Sequence, residues 1–133
     1  MPPWLIPGPF PAEFPTEERC SITELLNVDE SPEASLALAR VAPGVTTRLH
    51  AVASTVERYV ILAGTGTVEV GGTAATVGPG DRVVIPADIA QRITATGSEP
   101  LEFHCICTPR FRPENYVDLG DPPLTAPSPR LPR

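Results

Sequence analysis

The stretch "GVTTRLHAVASTVERYVILAG", Gly44 to Gly64, decides how this chain folds. It reads as two short strands rich in β-branched residues and joined by a turn. Within a strand, residues i and i+2 share a face. Arg48, His50 and Val52 therefore point one way, and Glu57, Tyr59 and Ile61 share one face of the next strand. If the two strands are neighbours, the imidazole of His50 and the carboxylate of Glu57 meet inside a barrel. Such a pair can act as an oriented acid–base couple.

Outward from this stretch the same pattern continues. "SLALARVA", "TRLHAV", "ERYVILAG", "GTVEVGG", "DRVVIPA", "QRITATG" and "LEFHCICTP" are short, β-branched and often alternating. Gly, Pro and Asp separate them at the intervals of an all-β sandwich or barrel. No internal segment sustains a helical period. "TEERCSITELLN" fits a short helix or an edge strand. Gly64, Gly66, Gly71, Gly72, Gly78 and Gly80 read as hairpin and bulge positions, where positive φ is cheap only for Gly. The same run lacks the Lys and the following helix that a phosphate-binding loop requires.

Proline divides the chain into parts. Of the 18 prolines, six fall within residues 1–15, seven within 109–133 and five between. Proline is excluded from central strands. The expected organisation is an N-terminal arm and edge segment over 1–34, a barrel over 35–108 and a Pro-rich arm over 109–133. Trp4, Leu5, Ile6, Phe10 and Phe14 make the first arm too apolar for a free tail, so it should pack on the domain surface or on a neighbouring subunit. The C-terminal "PPLTAPSPRLPR" reads as disordered or polyproline-like.

A chain of 133 residues suits one domain with a sizeable core. Its net charge of -6 argues against nucleic acid and anionic membranes as partners. The sequence holds no lysine, which removes Schiff-base chemistry. No apolar run reaches the length of a membrane span, and "MPPWLIPGPFP" lacks the basic flank and apolar core of a signal peptide. The expectation is a cytoplasmic protein with reduced Cys20, Cys105 and Cys107. Cys105 and Cys107 would share one face of a strand. A Cys-x-Cys pair can bind a soft metal, but no further thiol or His pair stands at zinc-finger spacing. The expected role of the three thiols is in the core.

These residues resemble the cupin superfamily, and in particular its small single-domain bacterial members. Gly44, His50, Glu57 and Gly64 match the first cupin motif at the right spacing, with Val52 in place of its second His. Gly80 and Pro86 match the second motif, in which Asp88, Gln91 and Ala95 replace a Gly, a His and an Asn. The resemblance covers roughly residues 35–108. It implies an all-β chain with a single cupin barrel, a double-stranded β-helix or jelly roll, flanked by the Pro-rich arms. In the family, three His and one Glu usually ligate a divalent metal such as Fe, Mn, Ni or Zn. Carried across, the ligand set is degenerate: His50, Glu57 and Gln91, the last through a neutral and weaker amide oxygen.

The function implied is a metal-dependent enzyme acting on a small organic substrate inside the barrel: an oxygenase, isomerase or cyclase. Two alternatives stay open, a metal-free ligand-binding or sensing barrel and a metal-free acid–base isomerase using His50. His50, Glu57 and Tyr59 are the catalytic candidates. Arg48 and Tyr59 are candidates for substrate binding, Arg48 by clamping a carboxylate unless it is a surface residue at a strand end. His104 alternates outward if Phe103, Cys105 and Cys107 face the core; the opposite facing would make it a replacement ligand. Arg58 and Arg92 alternate away from Glu57 and Gln91, so both should be solvated or at an interface. Arg110, Arg112 and Glu114 should tie down the C-terminal arm. The expected partners are a small-molecule ligand and a second copy in a homodimer, the N-terminal arm helping to cover the partner's sheet edge.

Overall fold

Burial alternates residue by residue from Val56 to Ile61, as a strand with one face on a core requires. The computed structural model describes residues 2–129, and among them the chain forms eleven strands. They are β1 (Phe14–Pro15), β2 (Ser21–Leu26), β3 (Ser35–Val41), β4 (His50–Val52), β5 (Val56–Ala63), β6 (Gly66–Val70), β7 (Thr73–Val77), β8 (Arg82–Ile85), β9 (Gln91–Ala95), β10 (Leu101–Thr108) and β11 (Tyr116–Asp118). A single 3-10 turn, Pro113–Asn115, precedes β11. Two antiparallel sheets, ordered β1-β2-β3-β10-β5-β8 and β11-β4-β9-β6-β7, make the expected jelly-roll barrel. Among the described residues no helix is long and apolar enough to cross a membrane.

"TEERCSITELLN" resolves into a turn and the strand β2, because β3 offers it a pairing edge. Thr73–Val77, absent from the expected strands, pairs with β6 across the Gly71–Gly72 turn. Only Ala74 and Val77 of β7 are buried, so its sequence carries little apolar signal. The sheets also reach beyond residues 35–108. β2 joins one of them, and β11 joins the other by pairing with β4.

The core between the sheets holds Val41, Ile61, Ile85, Ile93, Leu101 and Phe103 among others. Burying each such side chain contributes about 1.5–3 kcal/mol. Gly64 turns the chain from β5 to β6 at a φ of 80°. A Cβ there would lie 2.4 Å from the Pro100 carbonyl oxygen, so both the dihedral and the close approach demand glycine. Register then places the polar interior. Pairing of β10 with β5 sets Cys105 beside Tyr59 and Cys107 beside Glu57, and pairing of β4 with β9 sets His50 beside Gln91.

The two arms behave differently. The N-terminal arm does not cover its own apolar residues: Trp4 and Phe10 stay 79% and 63% exposed. The C-terminal arm is held. Arg92, expected to be solvated or at an interface, is instead 3% exposed. It stands opposite Glu69 on the outer face of β9 and β6, beneath the arm. Its Nε and Nη2 donate to the Glu69 carboxylate at 2.6 and 3.1 Å. Its Nη1 and Nη2 donate to the carbonyls of Pro122 and Pro123 at 2.6 and 2.7 Å. The Thr125 N–H donates to Glu69 Oε1 at 3.0 Å. Prolines lack a donor but keep an acceptor, which is what a guanidinium with spare N–H groups can use. Residues 122–125 are therefore pinned; residues 130–133 of the same segment lie outside the described residues.

Burial pushes the Glu69 carboxyl up, but hydrogen bonds from Arg92 and Thr125 outweigh it and hold the group below its ordinary value of 4.5. With the folded value depressed, the pair's contribution is complete above about pH 4.5 and is lost as pH falls through the folded value. Glu69→Gln is therefore expected to flatten the acid limb of the stability–pH curve; an unchanged limb in urea titrations would remove Glu69 from the account. Arg92→Ala, which strands a buried carboxylate, is expected to cost about 3–5 kcal/mol and to open the C-terminal arm to protease.

Candidate functional site

Strands of both sheets and the turn before β2 deliver polar groups to a cavity of about 130 Å³ between the sheets. β4 brings His50, β5 brings Glu57 and Tyr59, β10 brings Cys105 and Cys107, and the turn before β2 brings Glu18 and Cys20. Gln91 of β9 stands in the wall and is 1% exposed. Ile22, Ile93 and Phe103 supply apolar lining. Glu18, Glu24 and Glu57 give the lining three carboxylates, and among the described residues no arginine reaches it.

His50 is oriented by its backbone surroundings. Its Nδ1 lies 2.9 Å from the Arg48 carbonyl oxygen. A carbonyl only accepts, so Nδ1 carries the proton, and in the neutral ring Nε2 keeps a free lone pair. That nitrogen faces Glu57 Oε1 at 4.0 Å. Glu18 Oε2 is 3.6 Å from Nδ1. Tyr116 stacks on the imidazole with centroids 5.0 Å apart.

Glu57 is 6% exposed and accepts from neutral donors. Gln91 Nε2 donates to its Oε1, and Cys105 Sγ donates to its Oε2 at 3.0 Å, with Cys107 Sγ at 3.7 Å from the same oxygen. The Tyr59 hydroxyl donates to Gln91 Oε1. The amide orientation follows: the carboxylate needs the NH₂, which leaves the amide oxygen for tyrosine. Burial, reinforced by the Glu57 charge, pushes the Tyr59 hydroxyl well above its ordinary range. The hydrogen bond with Cys107, then burial and Glu57, push the Cys105 thiol up in the same way. Both stay protonated and act as donors.

Several expected residues meet here and others do not. His50, Glu57, Tyr59 and Gln91 come together as one contiguous network. The oxygen of Gln91 is engaged by Tyr59, so the amide braces Glu57. Of the two readings of Arg48, the surface one fits: its guanidinium pairs with Asp118 at 3.1 Å and reaches Asp121 at 4.0 Å. Regular strand geometry starts only at His50, so the i, i+2 rule does not carry back to Arg48. His104 pairs with Val60 and Leu38 between inward-facing neighbours and is absent from the cavity lining. Val52 is buried and offers no donor.

Glu18 and Tyr116 escape a reading of the sequence, since they come from the arms and no local spacing marks them, whereas Cys20, expected in the core, is buried there. Cys105 and Cys107 did carry a signal. Their alternation with Phe103 sets them inward, where they meet a carboxylate as well as the core. Together with Glu57 they place three metal-binding atoms within 4.8 Å of one another.

The network makes a specific energetic demand. Gln91→Leu is expected to cost about 1–3 kcal/mol for each group it leaves unpaired, and Tyr59→Phe about 1 kcal/mol. Because the two bonds form one relay, the double variant should cost less than the sum of the singles. Additive losses in thermal denaturation would show that the two bonds act separately.

A family model described as "Cupin domain" matches residues 37–107. Uncharacterized protein MJ1618 of Methanocaldococcus jannaschii is 32% identical over 102 residues, covering 75% of this chain and 82% of that protein. Among solved structures, Streptomyces Pac13, described as a unique nucleoside dehydratase, superposes with a TM-score of 0.70 at 16% identity. That match covers 82% of this chain and 84% of Pac13. The Schizosaccharomyces pombe Cnp3 cupin domain gives a TM-score of 0.65 at 14% identity, covering 70% of this chain and 66% of that one. At such identities the structural likeness shows the fold alone.

Proposed function

The chain belongs to the cupin family, and from that premise we propose that it is an enzyme acting on a small organic substrate inside its barrel, with His50 and Glu57 holding a divalent metal. The observation that carries this reading is the orientation of His50. A ligating histidine almost always gives its other ring N–H to a carbonyl or carboxylate; here Nδ1 meets the Arg48 carbonyl and Nε2 faces Glu57. A bound ion would supply Lewis-acid polarisation of a substrate oxygen.

The chain's own residues do the rest. His50 and Glu57 would hold the ion through Nε2 and the carboxylate, with the ring fixed by Nδ1–H on the Arg48 carbonyl. Tyr59, kept neutral, donates once a substrate group replaces Gln91 as its acceptor. Ile93 and Phe103 exclude water from one side. A cavity of about 130 Å³ suits a single small ring or a short chain, comparable to the roughly 150 Å³ that takes benzene. Its three carboxylates favour a neutral or cationic substrate, an amine or polyol, over an acid. The uridine seen with Streptomyces Pac13 is likewise uncharged. Val52 and the engaged oxygen of Gln91 favour a second reading, acid–base chemistry or ligand binding by His50 and Glu57 with no ion.

Elemental analysis of protein purified without chelator is expected to find about one divalent metal per chain, lost in a folded His50→Ala variant. Wild type that is metal-free and cannot be loaded would sink the first reading. In thermal-shift screens, small amines and polyols should stabilise the protein and simple carboxylates should not. The exposed apolar arm further supports a homodimer. Sedimentation equilibrium should give twice the chain mass, and removal of the residues before Glu13 should give the monomer; a monomeric full chain would refute it.

A further inference from the structure

We infer that Cys105 and Cys107 are metal ligands: with Glu57 they form a thiolate-rich site for a soft divalent cation, zinc by its chemistry. The inference rests on the metal reading above and deepens it by naming donors that replace the imidazoles missing at Val52 and Gln91.

The geometry is specific. Glu57 Oε2 lies 3.0 Å from Cys105 Sγ and 3.7 Å from Cys107 Sγ, and the two sulfurs are 3.9 Å apart. Around a tetrahedral zinc with bonds of about 2.3 Å to sulfur and about 2.1 Å to oxygen, two sulfurs sit about 3.8 Å apart, and sulfur and oxygen about 3.5 Å. Each observed edge is within about 0.5 Å of those values. His50 Nε2 stands outside this triangle, 4.0 Å from the other carboxylate oxygen.

Chemistry favours the same conclusion. A thiol is a weak donor, so two of them are a poor device for satisfying one buried carboxylate. As ligands, the same three groups share a dication. Binding releases the two thiol protons to solvent and leaves both sulfurs as thiolates on the ion. Two sulfur ligands with one carboxylate suit zinc better than the harder ions. Cys20 provides an internal control. Its thiol donates to Glu18 at 3.0 Å and stands outside the triangle.

Cobalt(II) titration of reduced, metal-stripped protein tests this directly. Wild type and Cys20→Ser should show a thiolate-to-cobalt charge-transfer band that zinc displaces. Cys105→Ser and Cys107→Ser should lose the band and bind at least about 100-fold more weakly. Should either variant fail to fold, wild type alone decides: zinc should shield two of its three cysteines from a thiol reagent in the native state. Cobalt bound without that band, or no thiol shielded by zinc, would overturn the thiolate assignment while leaving a metal on His50 and Glu57 intact. Failure of both zinc and cobalt to bind would overturn both readings.

Discussion

A carboxylate shut between two β-sheets governs the interior of this barrel. Glu57 sits almost out of reach of water, where an acceptor without donors is costly. The surrounding side chains answer that demand. Gln91 turns its NH₂ to one carboxylate oxygen, two thiols approach the other, and Tyr59 satisfies the amide oxygen left over. An imidazole has no such pair of opposed groups on one planar end. The amide at position 91 thus links carboxylate to phenol, a job that the His expected there by family resemblance would do differently. The cavity inherits its acidic character from the same carboxylate.

The arms are part of this interior. Glu18 comes from the turn before β2 and Tyr116 from the segment after the barrel, and both touch His50. Arg48 and Arg19 tie the C-terminal arm through Asp118 and Asp121. Farther along, Arg92 uses its remaining N–H groups on proline carbonyls. A proline-rich segment cannot join a ladder as a donor, yet it can be held by cations that need acceptors. That is why a tail read as disordered or polyproline-like lies against the sheet as far as Ser128, whose N–H donates to the Ala74 carbonyl at 2.8 Å.

Much of the fold was legible because it is local. Period-two alternation in Val56–Ala63 and Leu101–Thr108 shows which side chains face inward, and glycines mark where hairpins turn. β7 was invisible since Thr and Ala carry almost no contrast between the two faces of a strand. Of the site, His50, Glu57 and Tyr59 were legible from spacing within two consecutive strands, although these lie in opposite sheets rather than side by side. Cys105 and Cys107 were placed inward correctly and assigned to the core, because nothing nearby in sequence shows which residue they meet. Arg48 stays at the surface because regular strand geometry begins only two residues later.

By itself the sequence determined an all-β sandwich or barrel and which residues share a face within each strand, conclusions that need only the geometry of single strands. The single barrel and the replacement of two of four ligands came from its resemblance to the cupins. Tertiary structure decided which groups face each other across strands: Cys107 beside Glu57, Arg92 beneath Pro122, Tyr116 on His50. Register and arm placement join residues far apart in the chain, and no periodicity within one segment encodes a pairing with another.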